Sequence, residues 1–432
     1  MPKKTADSAA VWDLAALSKP PQTYPAPGFH AKGCRALFYE GLPYKGKPTR
    51  VFAWYGVPEA PAKGPFPAMV LVHGGGGTAF DDWVRLWTSR GYAAISMDTC
   101  GCTAGGEHAK RPCHEFGGPP GWGGFGQIDE PVADQWMYHA VADCILATSL
   151  LTSFPEVDAR RIGVTGISWG GIITCIVAAV DERLKFAAPV YGCGHLGEVP
   201  GWLKSHGPPP AVGLRPAGGS DGDAARRWLD LWDPSRYLSR VRMPMLWVAG
   251  TNDFAFPLPQ LQASYRQPQG ERTLAVRVNM VHGQGQGAAP EEIAAFADSI
   301  VRPSRASGSS DGGPPLARIT GQGADGPKSG PVPGNAAWVR FAAARPVVKA
   351  EFNFTRDGSL WKDRKWQTAA AAFGSEAQAR RELKAAEGPG DAKAMPGREV
   401  RATVPDGATA WYFNLIDERG LITSTEHQEP RQ

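Results

Sequence analysis

Residues 166–171 read Gly-Ile-Ser-Trp-Gly-Gly, between a strand-like run, Arg161–Gly166, and an apolar helical run, Trp169–Val180. A chain that leaves a buried strand and enters a buried helix this abruptly must make a tight, strained turn. Glycines two places either side of the serine keep side chains out of that turn, and the serine hydroxyl is left standing above the sheet edge. The helix that follows aims its first backbone N–H groups at the same spot. The alternative use of the same residues is a glycine-rich strand-to-helix turn whose serine only caps the helix.

The rest of the chain supplies the setting such a turn requires. The spacing predicts strands at Cys34–Glu40, Thr49–Val57, Pro67–His73, Tyr92–Asp98, Arg161–Gly166, Phe186–Gly192, Pro244–Gly250 and Arg272–Asn279, with the turn-rich Gly41–Lys47 between the first two. Helices are predicted at Phe80–Arg90, Glu130–Phe154, Trp169–Val180, Leu258–Tyr265 and Pro290–Val301. Fully apolar strands alternating with helices imply an α/β protein with an eight-stranded, mostly parallel sheet covered on both faces. At 432 residues, 42% hydrophobic and 20% charged, the chain is long enough for two or three domains. The Ser/Gly/Pro-rich stretch at 302–315 reads as a linker. The pattern then changes to alternating strands at Val347–Thr355, Val400–Val404, Ala410–Asp417 and Leu421–Glu426, with a short helix at Ser375–Leu383. The expected organisation is a catalytic domain over 1–301, with a cap insertion at about 195–240, and a C-terminal antiparallel β-sandwich over 316–432. Val348, Ala350, Phe352 and Phe354 are expected on one face of the first sandwich strand, and Lys349, Glu351 and Asn353 on the other.

A serine needs a base, and the base needs an acid to orient it. In this fold class they follow the serine in the order acid, histidine. Asp253 lies three residues past the strand Pro244–Gly250, and His282 lies just past Arg272–Asn279. Both loops leave the carboxyl ends of strands, the edge that carries Ser168. A turn aspartate and a surface loop histidine are the plain alternatives; the order and placement of all three favour a catalytic triad, with Glu198 as the substitute acid. The oxyanion requires two N–H donors. Trp169 supplies one, and the loop His73–Gly77 the other, from Gly75 or, second, Gly74. His73 is expected to order that loop.

These residues resemble the α/β-hydrolases, and within them the secreted bacterial acetyl xylan esterase and prolyl-oligopeptidase-like group, over about residues 45–300. The resemblance rests on HGGGG at 73–77, DQWMYHAVAD at 134–143, GISWGG at 166–171, PVYGCG at 189–194, GTNDFAFP at 250–257 and the histidine loop. It implies hydrolysis of carboxylic esters, with acetyl or another short acyl group removed from a carbohydrate. A peptidase of the prolyl-oligopeptidase clan is the second reading, although that clan usually places a β-propeller ahead of its hydrolase domain and only about 45 residues precede the strands here. A carbohydrate-binding protein on a catalytically idle scaffold is the third. Trp122, Trp136 and Trp202, on or near the long loops above Ser168, are candidates for stacking on a sugar; ordinary packing of the cap is the competing use of each.

The partner expected is a small-molecule or polysaccharide ester. A net charge of +4 is too small and dispersed for a nucleic-acid footprint, and no apolar run is long enough to span a membrane. No signal peptide is visible, and export with a trimmed leader is expected over a cytoplasmic place. No cofactor or metal is expected. Cys100, Cys102, His108, Cys113 and His114 crowd one loop, for which free thiols, a local disulfide and zinc are the readings, in that order; the spacing matches no common zinc signature. His139 is read as a core histidine and Asp98 as structural.

Overall fold

The computed structural model describes residues 11–59, 64–121, 125–199, 221–302, 313–325, 336–374 and 398–430. The helix expected at Ser375–Leu383, and Trp122 and Trp202, lie outside the described residues. The chain divides into two compact units. The first holds Met1–Met245, Pro259–Arg272 and His282–Ala289, and the second Leu246–Leu258, Thr273–Val281 and Pro290–Gln432.

A nine-stranded sheet runs in the order β1-β2-β3-β5-β4-β6-β7-β8-β9. Its strands are β1 Thr23–Pro25, β2 Arg35–Tyr44, β3 Lys47–Gly56, β4 Phe66–Val72, β5 Ala93–Met97, β6 Val157–Ile167, β7 Ala187–Val190, β8 Met245–Gly250 and β9 Arg272–Arg277. The ninth strand is β1, three residues pairing antiparallel with β2 at the sheet edge. It is too short to carry a readable alternation. The stretch Gly41–Tyr44, expected as a turn, continues β2, and the reversal is confined to Lys45 and Gly46, both at positive φ. That is a two-residue hairpin turn whose twist matches its strands.

The helices follow from the crossovers: α1 Leu14–Leu17, α2 Asp81–Ser89, α3 Trp136–Ser153, α4 Trp169–Val180, α5 Asp221–Trp232, α6 Leu258–Tyr265, α7 Gln284–Ala288 and α8 Glu291–Val301. The step from β4 to β5 moves one way along the sheet, and the step from β5 to β6 moves back past β4. Right-handed crossovers therefore put α2 on one face and α3 and α4 on the other. The strand order reverses at β4, so the crevice at the carboxyl ends of β4 and β6 is where such a sheet takes a ligand. Helix α3 starts six residues later than the sequence pattern suggests. Val132–Asp134 form a 3₁₀ turn and Gln135 is extended, with its side chain donating to the carbonyls of Ile128 and Glu130 and its Oε1 accepting from the Trp232 indole.

In the second unit, two four-stranded antiparallel sheets stack as a sandwich. One comprises β10 Arg318–Ala324, β11 Ala336–Ala342, β15 Arg398–Thr403 and β14 Ala372–Phe373; the other comprises β13 Trp366–Ala370, β12 Val347–Thr355, β16 Ala410–Asp417 and β17 Ile422–Ser424. Val339, Phe341 and Val400 meet Phe352, Phe354, Phe413 and Leu415 between them. Val348 does not join this core. A register shift between Val347 and Lys349 turns Val347 inward and leaves Val348 60% exposed. The opposite face of β12 and β16 is not simply solvated. Asn353 is buried and accepts from Thr368, while Tyr412 and Asn414 donate to the Val276 carbonyl of β9. The buried Glu292 of α8 takes two hydrogen bonds from Arg277 and one from the Ile422 N–H.

Candidate active site

Ser168 sits between the last residue of β6 and the first of α4, at φ 60° and ψ −117°. That backbone conformation costs an L-residue about 1–3 kcal/mol and persists only where its surroundings enforce it. The enforcement here is close packing of main chain. A Cβ on Gly166 would lie 2.2 Å from the Gly170 carbonyl oxygen, and one on Gly170 would lie 2.0 Å from that of Val72. The Ser168 N–H donates to the Val190 carbonyl at 2.9 Å, and its own carbonyl accepts from Ile172 at 3.1 Å to open α4. Ser168 is half-buried, at the end of a sheet whose central strands are fully enclosed.

The glycine loop after β4 lies beside it. A Cβ on Gly74 would lie 3.1 Å from that of Ser168. Gly75 and Gly76 form the corner of a turn closed by the Gly77 N–H on the Gly74 carbonyl at 3.1 Å. His73 is buried beneath this turn. Its Nδ1 is 2.7 Å from the Gly74 carbonyl, and its Nε2 accepts from the Thr99 N–H at 3.0 Å. These partners specify the neutral tautomer with the proton on Nδ1. Burial pushes the His73 pKa below the ordinary histidine range, against the pull of Asp98. His73 thus orders the loop, as its position suggests.

His282 lies in the first unit, half-buried, just before α7. Its ring stacks on Tyr191, with centroids 4.6 Å apart and planes at 24°. Tyr191 is fully buried, follows β7 at φ 53°, and is one residue from the carbonyl that holds Ser168. A Cβ on Gly287 of α7 would touch both Ile167 and Tyr191 at 3.0 Å. The histidine loop is therefore seated on the elbow by Tyr191, a residue that triad logic does not single out. Its signal in the sequence is its place at the carboxyl end of a strand, in PVYGCG.

Asp253 lies in the second unit, 2% exposed, in the loop after β8. Its Oδ1 accepts from the N–H groups of Ala255 and Phe256, each at 2.8 Å. These bonds fix the direction of the carboxylate. Asn252 beside it donates to the carbonyls of Lys362 at 3.1 Å and Arg364 at 2.6 Å, which ties the Asp253 loop to the sandwich. Glu198, the substitute acid, is exposed and hydrogen-bonded to His195 at 2.9 Å.

Above the first turn of α4, Trp169 is enclosed edge-on by Phe125, Trp136 and Trp228, with centroids at 5.6, 5.8 and 6.0 Å. Trp136 is 1% exposed and its indole donates to the Thr99 carbonyl at 2.6 Å. Trp228 and Trp232 of α5 are equally buried, Trp228 against Trp169 and Trp232 against Trp12 and the Gln135 side chain. His139 is also a core residue, with Nε2 2.8 Å from the Ala133 carbonyl and a pKa pushed down by burial. Among the described residues, no three His, Cys, Asp or Glu side chains are grouped to hold a metal ion, and no helix is long and apolar enough to cross a membrane.

The sequence profile of the acetyl xylan esterase family matches residues 26–194, and that of the prolyl oligopeptidase family matches residues 126–292. The two overlap at the elbow. The acetyl xylan esterase from Paenibacillus sp. superposes with a TM-score of 0.51 at 26% identity, over 66% of this chain and 92% of that one. Acetyl xylan esterase 1 from Thermoanaerobacterium sp. also gives a TM-score of 0.51, at 19% identity, over 65% of this chain and 89% of that one. The uncharacterized peptidase YuxL of Bacillus subtilis is 23% identical over 49% of this chain, a stretch that spans 30% of that relative. The chain thus has the α/β-hydrolase fold and resembles acetyl xylan esterases over residues 26–194 and prolyl oligopeptidases over residues 126–292.

Proposed function

We propose that the chain is a serine carboxylesterase that removes acetyl or other short acyl groups, with a carbohydrate ester as substrate. Ser168 attacks the ester carbonyl, and His282 takes its proton and delivers it to the leaving alcohol. Asp253 orients the imidazole and stabilises its charged form. The N–H groups of Trp169 and Gly75, with Gly74 as the second choice in the loop, bind the oxyanion. Water then hydrolyses the acyl-enzyme by the reverse proton traffic. The observation that carries this reading is the strained Ser168 between β6 and α4, with the glycine loop against its Cβ. The likeness to acetyl xylan esterases supports a short acyl group. Trp122 and Trp202 remain the proposed sugar-stacking residues; the buried Trp136 serves by holding Trp169.

The second reading, a peptidase, is favoured by the prolyl oligopeptidase match, which takes in the positions of all three triad residues. A panel of p-nitrophenyl esters of increasing chain length, acetylated xylan and a dipeptide anilide separates the two. Acetate is expected to turn over fastest among the esters. Faster octanoate would reject the short-acyl reading, and efficient anilide cleavage would replace the esterase with the peptidase.

A further inference from the structure

The segment that leaves β5 folds into a hairpin with a sulfur pair at its neck. Asp98 Oδ1 accepts from the N–H groups of Cys100 and Cys102, each at 2.8 Å, and so curls the chain as the strand ends. Cys102 and Cys113 then pair as an isolated antiparallel bridge, closed on one side by Thr103 N–H to the Pro112 carbonyl at 2.9 Å and on the other by His114 N–H to the Gly101 carbonyl at 3.4 Å. The two Sγ atoms are 3.4 Å apart. Residues facing each other in an antiparallel pair have Cα and Cβ separations within the range a disulfide spans. Bond formation asks for an approach of roughly 1.4 Å between the sulfurs, within reach of small side-chain rotations.

The tip of this hairpin rests on the glycine loop. Ala109 N–H donates to the Gly76 carbonyl at 2.8 Å, and Arg111 Nε donates to the same oxygen at 3.3 Å. Thr78 donates to the Thr103 carbonyl at 3.2 Å. The His108 ring lies so close over Gly76 that a Cβ there would be 2.6 Å from it. Arg111 also binds the carbonyls of Gly105 and Gly106, at 3.0 and 2.8 Å. The hairpin is the outer support of the turn that carries Gly75.

We infer that Cys102 and Cys113 form a reversible disulfide that clamps this hairpin against the glycine loop. The consequence for activity rests on the proposed role of Gly75; the bond itself does not. Cys113 is exposed and Cys102 is buried, so the order of events is defined. The Cys113 thiolate attacks a low-molecular-weight disulfide, such as oxidised glutathione, and one glutathione thiolate leaves. The Cys102 thiolate then attacks the Cys113 sulfur and expels the second. Two protein thiols are oxidised, one disulfide co-reactant is reduced to two thiols, and the two cysteine protons pass to them. Burial, with Asp98 second, pushes the Cys102 thiol pKa up, so Cys102 is the poorer first nucleophile and the exposed Cys113 begins the exchange.

The test equilibrates the full chain with reduced and oxidised glutathione at set ratios. Thiol counting, peptide mapping without reductant, thermal melting and ester hydrolysis are then measured. Oxidising ratios are expected to remove two thiols, to yield one Cys102–Cys113 linked peptide and to raise the melting temperature by roughly 5 °C. Reduction should lower kcat severalfold and reversibly, and the Cys113→Ser variant should stay at the reduced value under all ratios. The Cys102→Ser variant should retain one glutathione on Cys113. A link from Cys113 to Cys100, or no link where Cys102→Ser takes up glutathione readily, overturns the disulfide. A link without a change in kcat overturns the clamp. Absence of ester hydrolysis in both states would overturn the proposed function, while the linked peptide would still decide the disulfide.

Discussion

Ser168 holds its strained backbone because Gly166 and Gly170 let three main-chain segments meet within van der Waals distance. Its side chain adds little to that packing. Ser168→Ala is therefore expected to leave the urea midpoint unchanged and to lower kcat/KM on short esters by about 10³-fold or more, the remainder coming from binding and the oxyanion donors. A near-normal rate would remove Ser168 from the chemistry. At the next position along the proposed relay, Asp253→Asn keeps the hydrogen bonds to Ala255 and Phe256 sterically possible but favours the wrong imidazole tautomer. Its kcat should fall by as much as about 10⁴-fold with KM little changed. Asn252→Ala makes the contrast. It removes the bonds to the Lys362 and Arg364 carbonyls, so it should cost about 1–2 kcal/mol of stability and little activity. Equal kinetic losses in both variants would mean that Asp253 acts only by shaping its loop.

At the scale of elements, the junction of β4, β6 and α4 is set by backbone approach, not by side-chain fit. Gly170→Ala places a methyl on the Val72 carbonyl, and main chain cannot swing aside as a side chain can. A loss of at least about 3 kcal/mol is expected, read as a lower urea midpoint or as failure to accumulate folded protein. Wild-type stability would show that α4 can shift outward. The helix ahead of this junction illustrates a different rule. Apolar spacing continues back through Val132, yet α3 begins at Trp136, because Gln135 bonds with its side chain to the carbonyls of Ile128 and Glu130 and must stay extended to do so. The tryptophans of α5 serve the same region by packing against Trp12, Gln135 and Trp169.

Across the whole molecule, burial keeps many acidic groups in their neutral forms. The thiols of Cys100, Cys144 and Cys175 and the phenol of Tyr39 are pushed well above their ordinary ranges, chiefly by desolvation. A pKa raised in the folded state means that folding favours the protonated form. That contribution is complete below the unfolded values, near pH 8.5 for thiols and 10 for phenols, and is lost as pH rises beyond them. With reductant present to suppress oxidation, the urea midpoint should fall steadily from pH 8 to about pH 10.5. A flat profile would mean that these groups ionise in place.

The strands and helices around the elbow and the antiparallel sheets beyond residue 316 were legible in the sequence. Each is written in local terms: apolar runs of the right period, turn residues between them and a glycine pair about a serine. Four features were not. The edge strand β1 is too short for any period. Val347 replaces Val348 in the sandwich core because a register shift, which pairing with β16 determines, reverses the alternation. Tyr191 became the seat of His282, and the tip of the 102–113 hairpin the support of Gly76, only when distant segments were brought together. Local sequence sets what a segment prefers to be. Which segments touch is decided by the sheet order and by the close packing that order imposes.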